Sequence, residues 1–307
     1  MTHAIGRSQA HIIVVDHTQT NPIMRSTPTT LLTRLSLAAT FALTVALTPA
    51  VAHATWSVVA VDRATGRIVI SSATCVPQAA FARFPAKGLM DVQAILVPGI
   101  GVAAAQAGVD RTRSNQMLIY SELRKGTHPS AILAMLAADT ALQTRQFGMV
   151  DLQGRFAGFS GASNGVYALS VQGQVPGTQV FYSIQGNILA SNNVVQHAVR
   201  AFEGANGSIE DRVMAAMEAA DAEGGDKRCT CQTAPIAKTA LPCTTKTAHV
   251  AYLTAADSTD VSGSSFNDGK YSVYLDVTDE NTAPNEDPDP VKTLRMRFDK
   301  WKEERRK

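Results

Sequence analysis

Thr55-Trp-Ser-Val-Val-Ala-Val-Asp62, the turn Ala64-Thr65-Gly66, and Arg67-Ile-Val-Ile-Ser-Ser-Ala-Thr74 decide the fold. Two runs rich in β-branched residues, joined by a short turn that ends in glycine, read as an antiparallel hairpin. The pattern recurs along the chain. Apolar runs at 92–97 and 100–107 flank Pro98-Gly99, and strands at 146–150 and 155–160 flank Asp151-Leu-Gln-Gly154, repeating the Asp…Gly-Arg turn of the first hairpin. Further strands are expected at 180–189, 247–254 and 271–277.

Between these strands the hydrophobic period changes from two to three or four. Helices are expected at 112–125, stopped by Gly126, and from about Pro129, with Ile132, Leu133 and Leu136 on one face. A second pair is expected at 192–202 and 208–222. Ser208 is a candidate N-cap with Asp211 three residues on, and Ile209, Val213, Met217 and Ala220 line one core-facing stripe. Val291, Leu294, Phe298 and Trp301 predict a C-terminal amphipathic helix over 288–305. Its basic end, Lys300 to Lys307, suits the helix dipole. The segments 77–92, 257–270 and 278–289 read as loops. Strand pairs and helix pairs alternate in blocks, which predicts an α+β fold of antiparallel sheets carrying helices on their outer faces. No glycine-rich phosphate loop joins a strand to a helix, so nucleotide binding is unsupported.

Upstream of Thr55 the sequence has the three parts of a secretory signal. Arg25 and Arg34 supply positive charge, residues 35–47 an apolar run, and Ala52-His53-Ala54 small residues before a cut. The apolar run is short of the roughly 20 residues that span a bilayer. Residues 24–54 are therefore read as a signal peptide starting at Met24, with 1–23 as an upstream extension beyond the natural start. Residues 55–307 form one mature domain, expected to be periplasmic or secreted and to have no membrane partner once cleaved. A net charge of +2 predicts no nucleic-acid partner.

The four cysteines are Cys75, Cys229, Cys231 and Cys243. An exported chain with an even number is expected to form disulfides. Cys229 and Cys231 are too close to pair comfortably, so one is expected to join Cys243 and the other Cys75. Zinc is the rival reading of this Cys-bearing segment, 229–243. Cys-x-Cys is not a usual zinc spacing and no histidine lies at ligand spacing around it, so no metal or cofactor is expected.

Cleavage after Ala54 would make Thr55 residue one, at the head of the first core strand. A threonine hydroxyl is a weak nucleophile, but a free amine on the same residue is a built-in base. With a reference pKa of about 7.7–8.0, that amine is partly neutral near pH 7. The seven histidines are scattered, and none is spaced to form a serine or cysteine triad.

From Thr55 to about Glu223 the chain resembles the DUF1028 family, whose members belong with the N-terminal nucleophile (Ntn) hydrolases. The resemblance rests on 55–62, Gly101–Gln106, Val150-Asp-Leu-Gln-Gly-Arg155, Phe159-Ser-Gly-Ala162 and Tyr182-Ser-Ile-Gln-Gly-Asn-Ile-Leu-Ala190. Gly224-Gly-Asp-Lys-Arg228 and Asp287-Pro-Asp-Pro-Val291 complete it. It implies a four-layer αββα sandwich in which the first residue of the first strand is exposed at an active cleft. The family's own activity is not established, so no substrate follows. The chain departs from the family pattern at 77–92, at the cysteine segment and at 257–270.

On chemical grounds Thr55 is the expected nucleophile and base. Backbone N–H groups near Gly161, with Asn187 or Gln185, are the expected oxyanion donors, and Asp226 and Arg228 are expected to orient a charged substrate. Lys87, in the divergent 77–92 loop, is a weaker candidate for a nearby positive charge. Two functions fit. One is an exported amidohydrolase cutting a peptide, cell-wall fragment or amino-acid-derived amide. The other is a non-catalytic exported module holding a small-molecule or peptide ligand. Sandwiches of this kind often associate, so a homo-oligomer fits either reading.

Overall fold

The computed structural model describes residues 55–84 and 86–307; the signal-peptide and upstream readings of residues 1–54 lie outside them. The opening hairpin is β1 (Thr55–Asp62) and β2 (Arg67–Thr74), paired antiparallel from Thr55↔Thr74 to Asp62↔Arg67. Asp62 holds its turn through Ala64 N–H and the Thr65 hydroxyl, at 2.9 and 2.8 Å. The strands β3 (Ala94–Val97), β4 (Gly101–Ala107), β5 (Arg145–Asp151) and β6 (Phe156–Ser160) form a four-stranded sheet in chain order. The remaining strands are β7 (Leu169–Gln174), β8 (Val180–Asn187), β9 (Val250–Ala256) and β10 (Val273–Val277). They join the hairpin in a six-stranded sheet of order β10-β9-β2-β1-β8-β7, which places β1 near its centre. All pairings are antiparallel.

Alternation along each strand sorts its side chains between two layers. Trp56, Val58 and Ala60 of β1 pack with α4 (Asn193–Gly204), α5 (Ile209–Ala222) and α6 (Pro290–Arg306). Val59 and Val61 face the other way, onto Val102, Ala104 and Val150 of the smaller sheet. That sheet's outer face, with Ile95, Ala103, Phe147 and Met149, packs on α2 (Ser114–Arg124) and α3 (Pro129–Leu136). The chain is thus a mixed α+β protein, with two antiparallel sheets face to face and helices outside each. Among the described residues no helix is long and apolar enough to cross a membrane.

Two readings need correction. Residues 77–92 are not all loop: a 3-10 turn, Gln78–Arg83, and the short α1, Leu89–Gln93, bury Phe81, Leu89 and Val92 at one end of the inter-sheet layer. The divergent, Pro-containing sequence hid their apolar spacing. Strand β7 was not expected at all; it is an edge strand of partly buried Leu, Val and Gln with no strong alternation.

A buried carboxyl, Asp289, and a half-buried one, Asp221, meet at Thr247, by the end of α5 and the start of α6. Asp289 caps α6 by accepting from Val291 N–H at 2.8 Å, and it also accepts from Thr247 N–H at 2.7 Å. The Thr247 hydroxyl donates to Asp221 of α5 and reaches Asp289 Oδ2 at 3.3 Å, which brings the two carboxyls together. Burial, then the Asp221 charge, pushes Asp289 up to about 7; burial also raises Asp221. Such a pair holds one proton between its members. The native state therefore binds more protons than the unfolded chain from about pH 4 to pH 7, so this pair's contribution to stability falls as pH rises through that window. Asp221→Asn supplies an amide proton in place of the shared one and removes the repulsion. Its stability relative to wild type is expected to rise across that window, by on the order of 4 kcal/mol at most. Urea unfolding of both proteins at several pH values checks this.

Candidate active site

Thr55, Ser57, Val59 and Val61 form the face of β1 turned toward the smaller sheet. The outer half of that face is apolar, whereas its Thr55 end meets a buried array of amides and hydroxyls. Pairing sets this array. Asn187 and Gln185 of β8 lie opposite Thr55 and Ser57, and Gln106 of β4 lies opposite Gln146 of β5. The Thr55 carbonyl accepts from Gln106 Nε2 at 3.1 Å and from Asn187 Nδ2 at 3.3 Å. Both donors also reach Gln146 Oε1, at 2.7 and 3.1 Å, and Gln146 Nε2 donates to the Gly186 carbonyl at 2.8 Å. Gln106 Oε1 accepts from the Ser57 hydroxyl and from Gln93 Nε2, each at 2.6 Å. Gln185 Nε2 donates to Ser57 Oγ at 2.5 Å, and Tyr252 OH donates to Gln93 Oε1 at 3.1 Å. Nearly every group is satisfied, so the network is rigid and neutral. The exception is Asn187 Oδ1, a buried acceptor with no hydrogen-bond partner.

Thr55 Oγ1 donates to Thr74 Oγ1 of β2 at 3.3 Å. Both residues line a cavity of about 20 Å³, room for about one water. Its walls include Phe81, Leu89, Val92 and Val109, with Gln93 and Gln106 at one side. In the full chain Thr55 is only 3 % exposed. Val76, Phe81, Phe84, Leu89 and Val92 wall this end of the strand. The backbone is strained on both sides. Ala107, directly after Gln106, has φ 70°, and Ile188, directly after Asn187, has φ 50°. Left-handed backbone is a genuine outlier for a β-branched residue, and such strain concentrates at functional sites.

Asp226 and Arg228 sit beyond the strand ends that flank Thr55. Asp226, fully buried, accepts from Cys75 N–H at 2.8 Å and forms an isolated bridge with Leu189. It is ion-paired to Arg228 at 2.7 Å. A disulfide between Cys75 and Cys229 fastens this segment to the end of β2, and Cys231 pairs with Cys243. The two-disulfide arrangement matches the expected one, and the structure decides which of Cys229 and Cys231 takes each partner. With separations of 154 and 12 residues, the chain-entropy model gives about 5 and about 3 kcal/mol.

The expected site residues are thus partly brought together. Thr55, Asn187 and Gln185 share one network, and Asp226 with Arg228 lies at its end. Gly161 follows Ser160, which accepts from Gln146 Nε2 at 3.0 Å, but its own N–H is donated to the Arg145 carbonyl at 3.0 Å. Lys87 lines a different pocket, with Asp91, Asn267 and Tyr271. Sequence reasoning missed Ser57, Thr74, Gln93, Gln106 and Gln146. Their signal was present, since Gln106 and Gln146 stand at inward positions of otherwise apolar strands. It also missed two buried bases near the strand end. Lys246, lowered by burial, donates to the Pro235 carbonyl at 3.1 Å. His249, lowered to about 4 by burial and then by the Lys246 charge, donates its backbone N–H to the Thr74 carbonyl at 2.8 Å.

Fold and site define an α+β protein of two facing antiparallel sheets, organised around a threonine at the head of a central strand. A family model described as a family of unknown function (DUF1028) matches residues 55–260, and the chain belongs to that family. The crystal structure of protein SPO2555 from Silicibacter pomeroyi, of the same DUF1028 family, is similar in fold. The TM-score is 0.55 at 20 % identity, over 80 % of this chain and 88 % of that one. No curated protein matches the sequence.

The network needs the sheets to approach closely, and Gly148 permits it. A Cβ there would lie 2.1 Å from Gln185 Oε1 and 2.6 Å from Ser183 Oγ. Gly148→Ala is expected to displace Gln185 from Ser57 and lose about 1–3 kcal/mol. Gly204→Ala, facing open space at the end of α4, is expected to cost nothing. Thermal unfolding of the two variants checks the contrast.

Proposed function

We propose that this protein is an exported N-terminal-threonine amidohydrolase of the Ntn type, in which Thr55 becomes residue one on removal of the leader. The observation that carries this reading is the grip on Thr55: its carbonyl held by Gln106 and Asn187, its hydroxyl bonded to Thr74. The facing sheets with helices outside suit the αββα sandwich of such enzymes. The family match begins at Thr55, the residue that the leader reading makes first. The two disulfides suit an oxidising compartment.

In this mechanism the free amine of Thr55 takes the proton of its own hydroxyl as Oγ1 attacks an amide carbonyl. An ester to Thr55 forms, the amine product leaves with the proton, and water then hydrolyses the ester. Asn187 Oδ1, the buried acceptor without a donor, orients the amine in its ammonium form. Gln106 and Asn187 fix the Thr55 carbonyl and so the angle of attack. Asp226 and Arg228, tied down by the Cys75–Cys229 disulfide, bound the substrate's path at the strand end. The substrate is a peptide, a cell-wall fragment or an amino-acid-derived amide.

A β-lactone that acylates threonine hydroxyls is expected to add one mass increment to mature wild-type protein and none to Thr55→Ala. The hydroxyl-retaining Thr55→Ser is expected to be labelled. Amide hydrolysis should fall by about 10²–10⁴-fold or more in Thr55→Ala. Equal labelling of wild type and Thr55→Ala, or labelling of neither, would favour the non-catalytic binding module.

A further inference from the structure

Read along the chain, no histidine stands at ligand spacing from the cysteines, but the fold supplies one. His249 lies just before β9, and Val250 pairs with Thr74 in the adjoining strand. This register delivers the His249 side chain to the residue after Thr74, which is Cys75. One ligating atom from each of Cys75, Cys229 and His249 lies within 4.8 Å of the others. Among the described residues this is the cluster of three such groups that could hold an ion.

The histidine is the informative member. It is 1 % exposed, and neither ring nitrogen has a hydrogen-bond partner. The Ala234 carbonyl lies near the ring without hydrogen-bonding geometry. Buried imidazoles nearly always satisfy at least one nitrogen, so a ring with neither bond made, and one nitrogen within 4.8 Å of both sulfurs, calls for a missing partner. Two cysteine sulfurs and an imidazole are the donor set of a borderline-soft divalent ion, and three protein ligands leave one tetrahedral position open.

We propose that Cys75, Cys229 and His249 form a redox-gated site for a divalent ion of the zinc class, shut while the disulfide stands and opened by its reduction. The gating reaction is thiol–disulfide exchange with a dithiol. One thiolate of the dithiol attacks a cysteine sulfur, the Cys75–Cys229 bond breaks, and a mixed disulfide forms. The second thiol of the dithiol displaces the remaining sulfur. The dithiol leaves as its disulfide, having given two electrons to the protein. The ion then takes both sulfurs as thiolates together with the imidazole, and two thiol protons pass to solvent. Reoxidation returns two electrons to a disulfide oxidant and expels the ion. Bond lengths of about 2.0–2.3 Å require only small side-chain shifts from the present spacing. The bound ion would replace the disulfide as the tie holding Asp226 and Arg228 at the end of β2. This inference stands apart from the proposed hydrolysis.

Cobalt(II) is the probe, because thiolate ligation gives a charge-transfer band. The test uses the full mature chain carrying Cys231→Ser and Cys243→Ser, so that one cysteine pair remains. The oxidised protein is expected to give no band. After reduction by a phosphine it is expected to bind one cobalt with a thiolate band, and zinc should displace the cobalt. His249→Ala in the same background should weaken binding by about tenfold or more. If reduction unfolds the chain, cobalt is expected to restore its circular dichroism spectrum. Absence of the band after reduction, unchanged affinity in His249→Ala, or a reduced and unfolded chain that cobalt cannot restore would each overturn the proposal.

Discussion

The structure depends on one buried constraint: the Thr55 carbonyl, at the head of the central strand, accepts from two side-chain amides that belong to different sheets. Gln106 reaches it from the smaller sheet and Asn187 from the neighbouring strand of the larger one. Gln146 then ties the two amides together. The sheets are therefore locked in register at this end by hydrogen bonds, whereas farther along the same layer they are held by apolar packing around Val59, Ile68, Val102 and Val150. A buried polar network is costly when incomplete and specific when complete. Here it is nearly complete, and its one unmet acceptor, Asn187 Oδ1, is beside the residue on which the proposed chemistry turns.

The other unusual features lie around the same point. Left-handed backbone at Ala107 and Ile188 follows the two gripping residues directly. Ala107 is the last residue of its strand, and Ile188 is the first beyond its own. Beyond these ends, Asp226 receives the Cys75 N–H, and the 154-residue span closed by Cys75–Cys229 keeps that arrangement from drifting. Strain and a buried charge each carry a cost in isolation, the long-range crosslink stabilises, and together they fix the surroundings of one hydroxyl.

Much of the fold was legible because its physics is local and periodic. Alternation in 55–62 and 67–74, the turn residues, the Ser208 cap and the apolar stripe of α5 all follow from spacing alone. The capping box of Ser208 and Asp211 forms as its residues suggest. What stayed hidden depends on pairing between distant segments. Nothing near Gln93 or Gln146 in sequence reveals that they share a network with Ser57. His249 is 174 positions from Cys75 and meets it only through the β2–β9 register. Residues 77–92 read as loop because Pro77 and Pro85 outweighed the spacing of Phe81, Leu89 and Val92. The bond from the Gly161 N–H to the Arg145 carbonyl likewise joins segments that only the fold brings together.

The central claim is that Thr55 begins the working protein. Intact-mass measurement of the chain recovered from the cell exterior or periplasm, followed by sequencing of its N-terminus, tests this most directly. The account predicts a chain starting at Thr55 with an unblocked amine and a mass consistent with two disulfides. A chain that retains Ala54, or any residue attached to the Thr55 nitrogen, would contradict it, because the amine would be consumed in a peptide bond and the threonine would have no base.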